Sequence, residues 1–177
     1  MDRRPEDFVI RNTLIVQSIS STLRLLKSFS LSESENDSHL SDYRTITELC
    51  AEVYPSLANS YSTDFLVHMG ILPALGLVVM NCRDRDVRFQ ALGILLSCPD
   101  YQEGIWNSLV AGKLTGVIVL LEEPWRTADG RIPENRRASM LNLDVAFKEK
   151  RMTAAIRQRI GTDNVNDVEE TTHIVTW

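Results

Sequence analysis

The chain has 177 residues, 44% hydrophobic and 24% charged, with a formal net charge of -5, which is the composition of an ordinary globular protein built as one compact domain. That charge excludes global attraction to nucleic acid or an anionic membrane, and three scattered cysteines, Cys50, Cys82 and Cys98, exclude a disulfide framework. The most apolar run, Ile71 to Met80, is too short to cross a bilayer, and the acids after Arg3-Arg4 do not fit a secretory signal, so a soluble intracellular protein is expected.

Pro5-Glu6-Asp7 opens a helix, because proline suits the first turn and acids complement the positive end of the dipole. Phe8, Ile15, Ile19 and Leu26 recur at helical spacing, which predicts a helix over 5–29. Ser30 to Ser38 is serine, acid and amide but for Leu31, too polar to bury, and reads as loop. A second helix, 41–58, buries Ile46, Leu49, Cys50, Val53 and Leu57, with Pro55 expected to kink it or end it early. Phe65 to Met80 is apolar on almost every side, the mark of a buried element. Within it a helix over 72–81 starts with Pro73 in its first turn, and Phe65 to His68 forms its approach or a separate turn.

Asp84 is placed to cap a helix over 85–97 that buries Val87, Ala91, Ile94 and Leu95, and Pro99 stops it. Next comes a helix over 103–123 with Trp106, Val110, Leu114, Val117 and Leu121 on one face, closed by Pro124. Leu141, Leu143, Val145 and Phe147 alternate with Asn142, Asp144 and Ala146, and Met152, Ala154 and Ile156 continue the alternation after Lys148-Glu149-Lys150. The pattern favours a β-hairpin over 139–158, while a helix from Lys148 to Ile160 competes through Ala154 and Ala155. The whole reads as mainly α: one domain over 1–160, a helical bundle or solenoid-like stack with a small C-terminal β-hairpin, followed by a mobile tail over 161–177.

The block Cys82-Arg83-Asp84-Arg85-Asp86-Val87-Arg88, followed by Ala91-Leu92-Gly93-Ile94-Leu95-Leu96, resembles a stretch "C-R-D-P-x-I-R…A…LL". Its sequel, Cys98-Pro99 and then Glu103-Gly104-Ile105-Trp106-Asn107-Ser108, resembles "P-x-x-E-G-x-W-D-S". Both stretches are those of the regulatory domain of fungal binuclear zinc-cluster transcription factors, and the resemblance runs from Gly70 to about Arg159. Arg85 replaces the usual proline and Asn107 the usual aspartate. The six close-spaced cysteines of that family's zinc cluster are absent, since the three here lie thirty-two and sixteen positions apart. The resemblance therefore implies a regulatory-type domain with Cys82, Arg83, Asp84, Arg88, Pro99, Glu103, Gly104 and Trp106 as its motif residues and a nuclear location. It implies protein partners or self-association and no sequence-specific DNA binding by this chain, which looks like a fragment, a truncated product or a free-standing relative.

Other signals are weak. Arg83, Arg85 and Arg88 invite a phosphate, but without a glycine-rich loop they are expected to flank a helix start and pair with Asp84 and Asp86. Nine basic residues against four acids between Arg126 and Arg159 read as a solvated hairpin face. His39, His68 and His173 have no neighbour at ligand or triad spacing, and no nucleophile elbow, phosphate loop or dinucleotide fingerprint occurs. No metal, cofactor or catalysis is expected; a small-molecule-sensing module, with Phe65 to Met80 lining a pocket, is the alternative to a protein-contact domain.

Overall fold

The computed structural model describes residues 5–30, 32–59, 70–159 and 168–177. The described residues form five α-helices and a three-stranded antiparallel sheet, so the fold is mainly α with strands at the C-terminal end. The first helix, α1, runs Pro5–Phe29 and buries Val16 and Leu23. Helix α2, Leu40–Asn59, buries Tyr43, Ile46, Cys50, Val53 and Tyr54; Pro55 stands exposed inside it and does not end it. Helix α3, Leu72–Asn81, is the hub, with every residue from Leu72 to Val79 buried, which explains why its sequence has no polar face. The approach expected at 65–68 lies outside the described residues.

Helix α4, Arg85–Ser97, starts as the sequence demands: the Asp84 side chain accepts from the Val87 N–H at 3.1 Å. Helix α5 runs Ser108–Glu122, five residues shorter at its start than expected. Residues of that missing part form a minimal hairpin, β1 (Gln102–Glu103) and β2 (Trp106–Asn107), turned at Gly104 with φ +58°. The reason is local. Asn107 caps α5 by accepting from the Val110 N–H at 3.0 Å, and Gly104 adopts a backbone region open to glycine and disfavoured in a helix.

Two apolar cores lie on either side of α5. Ala111 and Val119 belong to the larger one, shared by α1 to α4, whereas Leu114 and Ile118 belong to the second, against the sheet. That sheet has the order β3 (Ala138–Ala146), β4 (Arg151–Arg159), β5 (Val168–Thr176). The β3–β4 hairpin pairs Val145 with Met152 and Leu143 with Ala154, and β4 buries Met152, Ala154 and Ile156 against α5. Of the four alternating residues, Leu143 and Val145 face this core, but the other two do not. Leu141 falls at a register irregularity between Met140 and Asn142 and is exposed, and Phe147 sits in the turn with its ring edge-on to Trp177.

Two polar segments are more ordered than expected. Residues 168–176, read as tail, are the third strand: Thr171, His173 and Val175 pair with Ile156, Ala154 and Met152, and Arg157 binds Glu170 at 2.8 Å. The segment Glu33–His39, read as loop, is a 3-10 helix that buries Asn36. Charge supplies the packing that apolar residues do not, because Arg137 grips Asp37 at 2.6 and 3.0 Å and the Glu33 carbonyl at 2.8 Å.

Candidate functional site

The motif residues separate into two buried places. At the α3–α4 junction, Arg83 and Arg88 turn inward instead of pairing with Asp84 and Asp86. Their common partner is Glu122, at the last turn of α5, and the side chains of Arg88 and Glu122 are both wholly removed from water. Arg83 donates to Glu122 at 2.7 and 3.2 Å and to the Asn81 carbonyl at 2.8 Å. Arg88 donates to the Val79 carbonyl at 2.8 Å, and its Nη2 lies 2.7 Å from Glu122 Oε2 in a contact of opposite charges that is not aligned as a hydrogen bond. The Ala138 N–H completes the carboxylate at 2.7 Å. Around this centre Glu123 meets Arg126 at 2.6 Å, Arg126 donates to the Arg83 carbonyl, and Glu33 bridges Arg83 and Lys27.

The cluster sets three arginines and Lys27 against three glutamates. Burial is the largest single influence on Arg83 and pulls its pKa down, but the charge and hydrogen bond of Glu122 together with the charges of Glu33 and Asp37 outweigh it and the net shift is upward; for Arg88 burial wins and the shift is downward. Guanidinium groups stay charged throughout the working pH range. The arrangement ties α3, α4, α5, β3 and the Glu33 segment to one point. Arg85, by contrast, is exposed over the Phe89 ring.

The second place is the α4–α5 connection. Glu103 is buried, and its carboxylate accepts from the Ile71 and Leu72 N–H groups, both at 2.9 Å, and from the Tyr101 hydroxyl at 2.5 Å. It caps the amides at the start of α3, where Ile71 offers no side-chain acceptor. A Cβ at Gly70 would overlap this carboxylate, so any larger residue there must push Glu103 off the α3 amides. Tyr101 stacks edge-on to Tyr54, whose hydroxyl meets Ser108 at 3.0 Å. Gly104 makes the turn, and the exposed Pro99 contributes its carbonyl to Asn107 at 3.1 Å. Cys82 is buried, and burial pushes its thiol up to about 11, which leaves it unreactive at neutral pH.

Trp106 corrects the expectation made for it. It lies on β2, half-buried, and forms part of the wall of a cleft of about 630 Å³ between α1, α3, α5 and β3. Leu72, Leu77, Met80, Leu114 and Ile118 line the cleft, with Arg24 and Lys27 from α1. Arg24 donates to the Pro73 carbonyl at 2.8 Å and has no carboxylate partner among the described residues. An apolar groove of about 700 Å³ runs on the opposite side of α5, between Phe89, Leu96, Leu120 and Ile174.

The basic run is largely neutralised in place: Arg126 by Glu123, Arg131 by Asp129, Arg137 by Asp37, Arg151 by Glu149 and Arg157 by Glu170, while Arg136 stacks on Trp125 at 3.8 Å. His39 lies 3.5 Å from Asp42, and His173 meets Thr171. Among the described residues no group of three or more His, Cys, Asp or Glu is placed to hold a metal, and no helix is long and apolar enough to cross a membrane.

Fold and buried clusters together define a mainly α domain with an ionic centre, in which the motif residues hold elements in place. The chain matches no protein-family profile, no curated protein and no solved structure.

Proposed function

We propose that the chain is a non-catalytic regulatory and interaction domain, related to the regulatory region of fungal binuclear zinc-cluster transcription factors and acting in nuclear transcriptional control through protein contacts. The observation that carries this reading is the contrast between the two faces of the molecule. The motif residues Cys82, Arg83, Arg88 and Glu103 are absorbed in the interior, while large apolar side chains stand in water: Leu14, Leu25 and Phe29 on α1, and Leu120 and Ile174 beside the groove. Such surface favours partners. Fused to an unrelated DNA-binding domain, the chain should change transcription of a reporter carrying that domain's site; unaltered transcription at equal fusion levels would overturn the reading.

A second reading is favoured by the cleft. Its volume is that of a small-molecule site, its walls are mostly apolar, and Arg24 stands at it with no carboxylate partner among the described residues, beside Lys27 and Glu33, so an apolar ligand with an anionic end suits it. A thermal-shift series of long-chain carboxylic acids should raise the melting temperature of the wild type and do so less for Arg24→Ala. No shift with any acid would remove this reading.

A further inference from the structure

Helix α1 carries an apolar stripe that no described residue covers. Ile10, Leu14, Leu25 and Phe29 are 58%, 60%, 61% and 77% exposed, and Ser18 and Ser21 lie exposed between them. At about 100° per residue, these six positions fall within a sector of roughly 100°. That sector is distinct from the one that turns Val16 and Leu23 into the core. The successive spacings along the stripe are 4, 4, 3, 4 and 4 residues. This series reads the same in both directions about a midpoint between Ile19 and Ser20.

We propose that this stripe is the interface of a two-fold symmetric dimer in which α1 packs antiparallel on α1 of a second copy. The reading rests on the protein-contact function above and names the partner. In an isologous interface residue i contacts j and j contacts i; for antiparallel helices this needs a pattern that reads alike in both directions, which the six stripe positions have. Ile10 meets the partner's Phe29, Leu14 meets the partner's Leu25, and Ser18 meets the partner's Ser21 at the axis. Small residues at the axis let the two backbones approach, and large ones toward both ends fill the widening gap. Antiparallel packing also sets the positive end of each helix against the negative end of the other.

The size agrees. At about 200 Å² for a fully exposed large apolar residue, the four large residues leave on the order of 500 Å² in water. Phe8, Ile15 and Leu26 are exposed too but lie about 90–110° around the helix from the middle of the stripe; the stripe alone buries on the order of 1,000 Å² over both partners, the lower end of the range for a specific interface.

Sedimentation equilibrium of the full chain should give a dimer. Because Leu14 and Leu25 are exposed, Leu14→Glu and Leu25→Lys leave the fold intact, which circular dichroism and melting check. Each variant alone removes two Leu14–Leu25 contacts per dimer, and at about tenfold for each the dissociation constant rises on the order of 100-fold. The double variant Leu14→Glu/Leu25→Lys sets each glutamate opposite a lysine of the partner only in the antiparallel register, and should recover much of the lost affinity. A wild type that stays monomeric at about 100 µM, a dimer indifferent to Leu14→Glu, or a double variant weaker than both singles would each overturn the proposal. A reporter response kept by the monomeric Leu14→Glu fusion would leave the protein-contact function standing with its partner on another face.

Discussion

Replacing Glu122 with glutamine changes one oxygen to an amide and leaves the packing volume the same, so its effect isolates charge. In the wild type this carboxylate, with no solvent exposure, faces Arg88 at 2.7 Å and Arg83 at 2.7 Å. The amide leaves Arg88, itself fully buried, with Glu123 at 3.6 Å as its nearest carboxylate, and Arg83 with Glu33 at 3.5 Å, besides their carbonyl partners Val79 and Asn81. Breaking a buried pair by removing one partner costs about 3–5 kcal/mol. Set against the roughly 5–15 kcal/mol of a typical domain, this is a severe loss. At about 2–4 °C per kcal/mol for a chain of this size, the melting temperature should fall by on the order of 6–20 °C. Urea unfolding followed by circular dichroism measures the free-energy loss directly. Adding Arg88→Met to Glu122→Gln should recover part of it, because the uncompensated buried cation is then gone. A Glu122→Gln variant that melts within ~2 °C of wild type would show that the cluster is hydrated or dispensable, and would refute the account of it as the tie between five segments.

Val145→Asp places a carboxylate against the α5 side of the sheet and should lose about 1–3 kcal/mol, whereas Asp144→Lys on the exposed face should stay within ~0.5 kcal/mol; urea melts of the pair give the ranking. Gly70→Ala should destabilise by about 1–3 kcal/mol, because the new Cβ displaces Glu103 from the α3 amides, and faster hydrogen exchange at Ile71 and Leu72 would be its signature. Glu123 has its carboxyl pKa held below the ordinary value of 4.5, chiefly by the hydrogen bond from Arg126. Its stabilisation is therefore present above pH ~4.5 and is lost as pH falls through the lower folded value. Arg126→Gln should reduce the loss of stability on acidification, as melting curves from pH 6 to pH 3 would show.

Helices α1, α3 and α4 were legible because their boundaries rest on residues within a turn of them, namely Pro5, Pro73, Asp84 and Pro99. What escaped depends on distant partners. Glu103 reads locally as a helix former, but its carboxylate serves amides 31 and 32 positions earlier. Arg83 reads as a neighbour of Asp84, although the carboxylate that holds it is 39 positions away. Strand β5 escaped for another reason. Its inward residues, Thr171, His173 and Val175, include only one strongly apolar side chain, so no hydrophobic alternation marks it. Its β-branched content, Val168, Thr171, Thr172, Ile174, Val175 and Thr176, was the available signal. At Leu141 the alternation was present, but a register irregularity cancelled its meaning.

Because α5 lends one side to the helices and the other to the sheet, neither core survives without it. Loosening the sheet bares Leu114 and Ile118, and loosening the helical layer bares Ala111 and Val119, on the same fifteen-residue rod. The molecule is therefore expected to unfold as one cooperative unit and not as two foldons in series. Fluorescence of Trp106 at the helical core and of Trp177 at the sheet should report one coincident transition. A break in the chain that releases β5 should be felt as far away as the amides of α3.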